Sequence, residues 1–131
     1  MTSSHRDPLR VTAREAAERT GHHPGGAAPA ADGAGFAMLL DCREADEWRA
    51  GHAPGAVHVP LSALAAGVPL PPEARGRALV VVCRSGNRSR QAAELLVTRG
   101  FTAVDMIGGM RDRVRAGLPV VGARGGDGTV S

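Results

Sequence analysis

Cys83 is followed at once by Arg84, Ser85, Gly86, Asn87 and Arg88, and nowhere else in the chain do residue types and spacing point so directly to chemistry. Gly86 can take the positive φ that turns several backbone N–H groups toward one point. A helix is expected to begin just after Arg88, and a helix N-terminus offers unsatisfied donors and a partial positive charge to an anion. Arg84 and Arg88 add two guanidinium groups whose planar donors suit oxyanions. All of these favour a thiolate over a thiol. A reference cysteine titrates near ~8.5, and such surroundings lower that by one to several units, each worth roughly 1.4 kcal/mol of preference for the charged form. The chemistry implied is that of a nucleophilic or carrier sulfur with an anionic partner. A buried, inert thiol at a strand end is the alternative for any cysteine, and it leaves the arginines, the glycine and the helix start unexplained.

The elements that must position this cluster can be read on either side of it. Residues 78–82 (ALVVV) are apolar throughout, which suits a strand buried on both faces, and that strand delivers Cys83 to the edge of a sheet. A helix follows over 89–99, with Ala92, Ala93, Leu95, Leu96 and Val97 available for its buried side and Gly100 as its stop. Upstream, Phe36–Leu40 is a second continuous apolar run, ending in Asp41-Cys42-Arg43-Glu44. Residues 44–50 read as a helical turn, 57–59 as a short strand stopped by Pro60, 61–66 as another helical turn and 68–73 as an exposed proline-rich connection. Residues 103–107 read as a strand and 109–116 as a last helix. Near the start, residues 9–11 form a short strand and Thr12–Glu15 matches a capping box opening a helix to about Thr20. Strands alternating with helices give an α/β fold with a central parallel sheet of about five strands flanked by helices. Ligands bind such sheets at the carboxyl ends of the strands, where Asp41 and Cys83 both sit, so the two polar clusters are expected to be neighbours.

Length and composition narrow the classes. A chain of 131 residues is one domain's worth and can bury a core without staples. We expect a tail at 1–8, one domain over 9–122 with a loop insertion at 21–35 rich in glycine, alanine and proline, and a disordered tail at 123–131. The aromatics are Trp48, Phe36 and Phe101, with no tyrosine, so a stacked platform for nucleic acid is not expected. The net charge of +3 rests on arginine alone, as there is no lysine, and favours small anions over a charged polymer. No segment resembles a signal peptide or a membrane span, so a cytoplasmic location is expected, with Cys42 and Cys83 as free thiols. His22 and His23 lack further ligands nearby and read as solvated loop residues. No metal or organic cofactor is implied.

Three segments carry a specific resemblance. VVVCRSGNRSRQAAELLVTRGF (80–101) resembles the active-site region of the rhodanese family, LLDCREADEWRAGHAPGAVHVPL (39–61) its D-x-R-E and G-H-x-P-G-A elements, and IGGMRDRVRAGLPV (107–120) its closing elements, in the family's order. The resemblance implies a rhodanese-like three-layer fold. It also implies a cysteine that takes a sulfane sulfur from an anionic donor such as thiosulfate or a polysulfide and passes it to cyanide, a small thiol or a protein thiol. Cys83 is then the persulfide carrier and residues 84–88 the cradle, with Arg84 and Arg88 handling the donor. Asp41, Arg43, His52 and Ser89 support the site, Asp41 and Arg43 through a partly buried ion pair, and His52 by ordering its turn. A separate general base is hardly needed when the nucleophile is already ionised.

The chain departs from the family pattern in three places. Asp112 and Arg113 occupy the stretch after G-G-M where an aromatic is common, residues 21–35 are a longer insertion than usual, and Cys42 replaces an apolar residue. Cys42 could resolve a persulfide as a disulfide if the strand ends bring it near Cys83. A residue beside Asp41 on a strand points to the opposite face, which counts against that role. Two rival readings remain. Phosphatases and arsenate reductases on the same fold place an arginine six positions after the cysteine; here that position is Ser89, and the arginine falls one earlier. The other rival is a regulatory module or a persulfide carrier that works only with a protein partner.

Overall fold

The computed structural model describes residues 10–21 and 37–122. The expected tails, and the 21–35 insertion apart from Gly21, lie outside the described residues, and so do His22 and His23. β1 (Arg10–Val11) leads into α1 (Ala13–Thr20). The capping box closes its first turn: the Glu15 N–H donates to Thr12 Oγ1 at 3.1 Å and the Thr12 N–H donates to the Glu15 carboxylate at 2.8 Å. There follow β2 (Met38–Asp41), α2 (Ala45–Ala50), β3 (Val57–His58), α3 (Leu61–Ala65), a single 3₁₀ turn (Pro72–Ala74), β4 (Leu79–Val82), α4 (Arg88–Thr98), β5 (Ala103–Met106) and α5 (Gly109–Arg115).

The five strands form one parallel sheet in the order β1-β5-β4-β2-β3, as the alternation of strands and helices led us to expect. β4 lies at the centre with all four residues buried, which explains why its sequence shows no polar alternation. Its side chains still alternate between faces. Leu79, Val81 and Cys83 pack with Leu40, Cys42, Leu64 of α3 and Ala92, Ala93 and Leu96 of α4. Val80 and Val82 pack on the other face with Leu39, Ala16 and Ala17 of α1 and Met110 of α5. The fold is therefore three-layered, with α3 and α4 on one side of the sheet and α1 and α5 on the other. Among the described residues no helix is long and apolar enough to cross a membrane.

Two expectations need correction. The 68–73 connection is not exposed throughout: Leu70 is buried and Ala74 just beyond it is too, because the 3₁₀ turn folds the chain back onto the α3–α4 layer. Val97 does not join the buried side of α4. Ala92, Ala93 and Leu96 fill the narrow stripe that faces the sheet, and Val97 stands at its edge with 37% of its surface exposed.

Candidate active site

β2 and β4 are direct neighbours in register, Asp41 beside Val82, so the two polar clusters meet at one edge of the sheet. Cys83 leaves β4 there, and the chain turns through 84–87 into α4. Gly86 makes the turn possible. Its φ is +102°, and a Cβ on it would come within 3.0 Å of the Gly108 nitrogen and 3.3 Å of the Arg10 guanidinium. The Gly86 N–H donates to Cys83 Sγ at 3.0 Å, and the Ser89 N–H at the start of α4 also favours the sulfur as an anion. Cys42, just past the end of β2, faces the same sulfur. These groups, Cys42 first, outweigh desolvation and pull Cys83 down to about 5. Cys42, facing that sulfur and buried, is pushed far up.

Behind the sulfur runs a polar chain. The Ser89 hydroxyl sits 3.4 Å from Cys83 Sγ and in short contact with the Asp105 carboxylate, both residues being fully buried. Arg10 Nε donates to Asp105 at 2.5 Å, and Arg10 Nη2 donates to the Gly86 carbonyl at 3.1 Å, closing the circuit back to the loop. One hydroxyl has one proton. It points to Asp105 when Cys83 is a thiol donating to Oγ, and it is free to turn to Sγ when Cys83 is a thiolate. The circuit thus accommodates both protonation states without moving a heavy atom.

α5 supports the loop from outside. The Met110 N–H donates to the Cys83 carbonyl at 2.7 Å and the Arg111 N–H to the Arg84 carbonyl at 3.1 Å. This approach requires Gly109, since a Cβ there would lie 2.3 Å from the Cys83 carbonyl oxygen and 2.6 Å from Arg84 backbone atoms, at a φ of +58°. Gly109→Ala is expected to destabilise the domain by roughly 2–4 kcal/mol, combining overpacking against backbone with left-handed strain. Urea unfolding checks it, and a loss below about 0.5 kcal/mol would contradict it.

The remaining residues singled out in the sequence are placed as follows. Ser85 and Asn87 are exposed, while Cys83 is only 1% exposed. Arg84 is half-buried, with no side-chain partner among the described residues and its Nε buried. Arg88 is not open to an anion in the same way. Its Nη1 and Nη2 grip the two oxygens of Glu47 at 2.5 and 2.7 Å, fastening α4 to α2. Asp41 and Arg43 form a pair that is wholly rather than partly buried, with Arg43 Nη2 2.8 Å from Oδ2 and both side chains at 0% exposure. Arg43 also donates to the Gly51 carbonyl, so the pair holds the turn after α2 rather than touching the Cys83 loop directly. His52 stacks on Trp48, ring centroids 3.6 Å apart, and its Nδ1 lies 2.9 Å from the Trp48 carbonyl.

Sequence reasoning missed Arg10, Asp105, Glu47 and Gly109. A lone acid inside an apolar strand was a signal for Asp105, and the Gly108-Gly109 pair opening a helix was one for Gly109. For Arg10 and Glu47 no signal existed without the sheet order.

The thiolate has a direct consequence. One thiolate per chain is expected to be present at neutral pH and to be lost as pH falls through about 5. Ultraviolet thiolate absorbance during acid titration checks it. A single transition near the ordinary cysteine range of about 8.5 would contradict it.

The rhodanese-like domain family model matches residues 27–115. Adenylyltransferase and sulfurtransferase MOCS3-1 of Zea mays is 40% identical over 80 residues, covering 56% of this chain and 17% of that protein. Putative sulfur carrier protein YrkF of Bacillus subtilis is 36% identical over 81 residues, covering 56% of this chain and 40% of the relative. The chain thus spans less than half the length of these curated relatives. A rhodanese-related protein from Thermoplasma volcanium superposes with a TM-score of 0.66 at 26% identity, over 86% of this chain and 97% of the other. With a family match over more than half its length and the corresponding fold around its cysteine loop, the chain belongs to the rhodanese-like domain family.

Proposed function

We infer that this domain is a sulfurtransferase that carries sulfane sulfur as a persulfide on Cys83. The observation that carries the reading is the set of groups meeting at one sulfur: the Gly86 and Ser89 N–H groups, the Ser89 hydroxyl within hydrogen-bond reach, and Cys42 beside it. Such a cradle keeps the thiolate ready to attack, and it serves a persulfide anion equally well. Two relatives bear names in keeping with this, one a sulfurtransferase and one a putative sulfur carrier.

In the first half-reaction Cys83 Sγ attacks the outer sulfur of thiosulfate. The new S–S bond forms as the old one breaks, and sulfite leaves with the electron pair. In the second, cyanide or a thiolate attacks the terminal sulfur, and Cys83 leaves as the thiolate it began as. Arg84, free of partners among the described residues, is the cation available to the donor's anionic end. Arg88, ion-paired with Glu47, adds rim charge and rigidity. That commitment also argues against a phosphatase, which needs the arginine at the far end of its cysteine loop unengaged and aimed at a tetrahedral oxyanion. The near-complete burial of Sγ favours a donor that is small, or one that presents a narrow terminal sulfur.

A partner-dependent carrier is the second reading, favoured by the fact that the two relatives named above are longer proteins, in which the matched segment is 17% and 40% of the length. Thiocyanate formation by the purified chain from thiosulfate and cyanide separates the two. Turnover with no other protein present supports the enzyme. A folded chain without turnover overturns the thiosulfate reading in favour of the carrier.

A further inference from the structure

The second cysteine stands where a resolving thiol must stand. Register between β2 and β4 runs Met38–Leu79 through Asp41–Val82, so the next residues along each strand are Cys42 and Cys83. The ladder continues to that level, with the Cys42 N–H donating to the Val82 carbonyl at 2.9 Å. Adjacent strands lie about 4.8 Å apart, inside the roughly 4.4–6.8 Å range of Cα separations that a disulfide spans. Both side chains point to the same face and belong to the same buried cluster. Strand alternation therefore places Cys42 toward Cys83 rather than away from it. Cys42 does face away from Asp41, but Cys83 faces away from Val82 in step with it. Cys42 is fully buried, so only a group inside the protein can reach it.

We propose that Cys42 resolves the Cys83 persulfide within the chain, releasing hydrosulfide and leaving a Cys42–Cys83 disulfide. The step rests on the persulfide reading above. Cys42 sulfur attacks Cys83 Sγ, the Sγ–Sγ bond forms, and the bond from Cys83 Sγ to the sulfane sulfur breaks. The departing sulfur takes the electron pair and the Cys42 proton and leaves as hydrosulfide. The sulfane sulfur is reduced, the two cysteines are together oxidised by the same two electrons, and no outside oxidant enters. A dithiol reductant returns the pair to thiols.

The timing of the step follows from charge. In the resting protein Cys42 faces a thiolate, which keeps it protonated and unreactive. Once Cys83 carries sulfur, the negative charge moves one atom outward and Cys42 faces a neutral, electrophilic sulfur instead. Persulfide therefore has two fates: transfer to an acceptor that arrives promptly, or hydrosulfide release when none does. The disulfide left by the second fate shields Cys83 from irreversible oxidation.

The test loads wild-type chain, Cys42→Ser and Cys42→Ala with thiosulfate in the absence of any acceptor. Sulfite reports loading, hydrosulfide reports resolution, and peptide mapping reports the linkage. Because Cys42 also favours the Cys83 thiolate, the variants are expected to load more slowly, so hydrosulfide is read per sulfite released. Expected are a ratio near one with a Cys42–Cys83 cross-linked peptide from wild type, and a ratio lower by roughly tenfold or more without that peptide from the variants. Equal hydrosulfide per sulfite from wild type and variants, or a wild-type persulfide that persists with Cys42 free, would overturn the proposal. Absence of sulfite from folded wild-type chain, together with no added sulfur on Cys83 after polysulfide treatment, would overturn the persulfide reading itself, and the resolving step with it.

Discussion

Cys83→Ser is expected to lower thiocyanate formation from thiosulfate and cyanide by on the order of 10³-fold or more, since a covalent route loses its only nucleophile. Serine matches cysteine closely in size, and its hydroxyl can accept from the Gly86 N–H that now reaches Sγ. The backbone contacts of residue 83, including the Met110 N–H to its carbonyl, do not involve the side chain. A folded, inactive protein is therefore expected, with an unfolding midpoint close to wild type. A hydroxyl at this position cannot replace the thiolate, because the donors that hold a cysteine near 5 act on a group that starts far above the cysteine range. Retention of a large share of the activity would move the chemistry to the chain's other cysteine, Cys42.

The largest effect on stability is expected at a residue that does no chemistry. Asp41→Asn keeps the shape of the side chain but leaves Arg43 charged and wholly buried against a neutral amide. Asp41 now accepts from Arg43 Nε, from Nη2 and from the Arg43 backbone N–H, and Nη1 already has no partner among the described residues. Breaking one side of a buried pair typically costs about 3–5 kcal/mol, a large part of the roughly 5–15 kcal/mol that holds a domain folded. The damage should centre on the turn at Gly51, which Arg43 fastens. Denaturant unfolding of Asp41→Asn checks the figure. A change of less than about 1 kcal/mol, the scale of an exposed pair, would mean that water reaches the pair.

Much of this was legible before any coordinates. The apolar runs at 36–40 and 78–82 announced strands buried on both faces, the Thr12–Glu15 box placed the start of α1, and the glycine after Cys83 announced the turn whose N–H meets its sulfur. These signals are local, and physics that acts within one turn or one strand can be read within a few residues. What was not legible depends on sheet order. Arg10 meets Asp105 only because the chain's first described strand lies beside its last, and Glu47 takes Arg88 only because α2 folds over the start of α4. Cys42 is the sharpest case. Alternation within β2 says correctly which way it points relative to Asp41, but says nothing of which β4 residue stands opposite. Arg113 is another. In a stretch where an aromatic is common in the family, it buries its whole side chain and donates to the Pro119 carbonyl, which no pattern of charge along α5 foretells.

The central claim is that Cys83 carries the sulfur, and mass spectrometry of the thiosulfate-treated chain tests it most directly. Brief treatment, acid quenching and peptide mapping should find the mass of one added sulfur atom on the peptide containing Cys83, removed by cyanide and absent from Cys83→Ser. Prolonged treatment without an acceptor should convert that species to the Cys42–Cys83 linkage. A folded wild-type chain that releases sulfite while the added sulfur sits on another residue, or on none, would contradict the account.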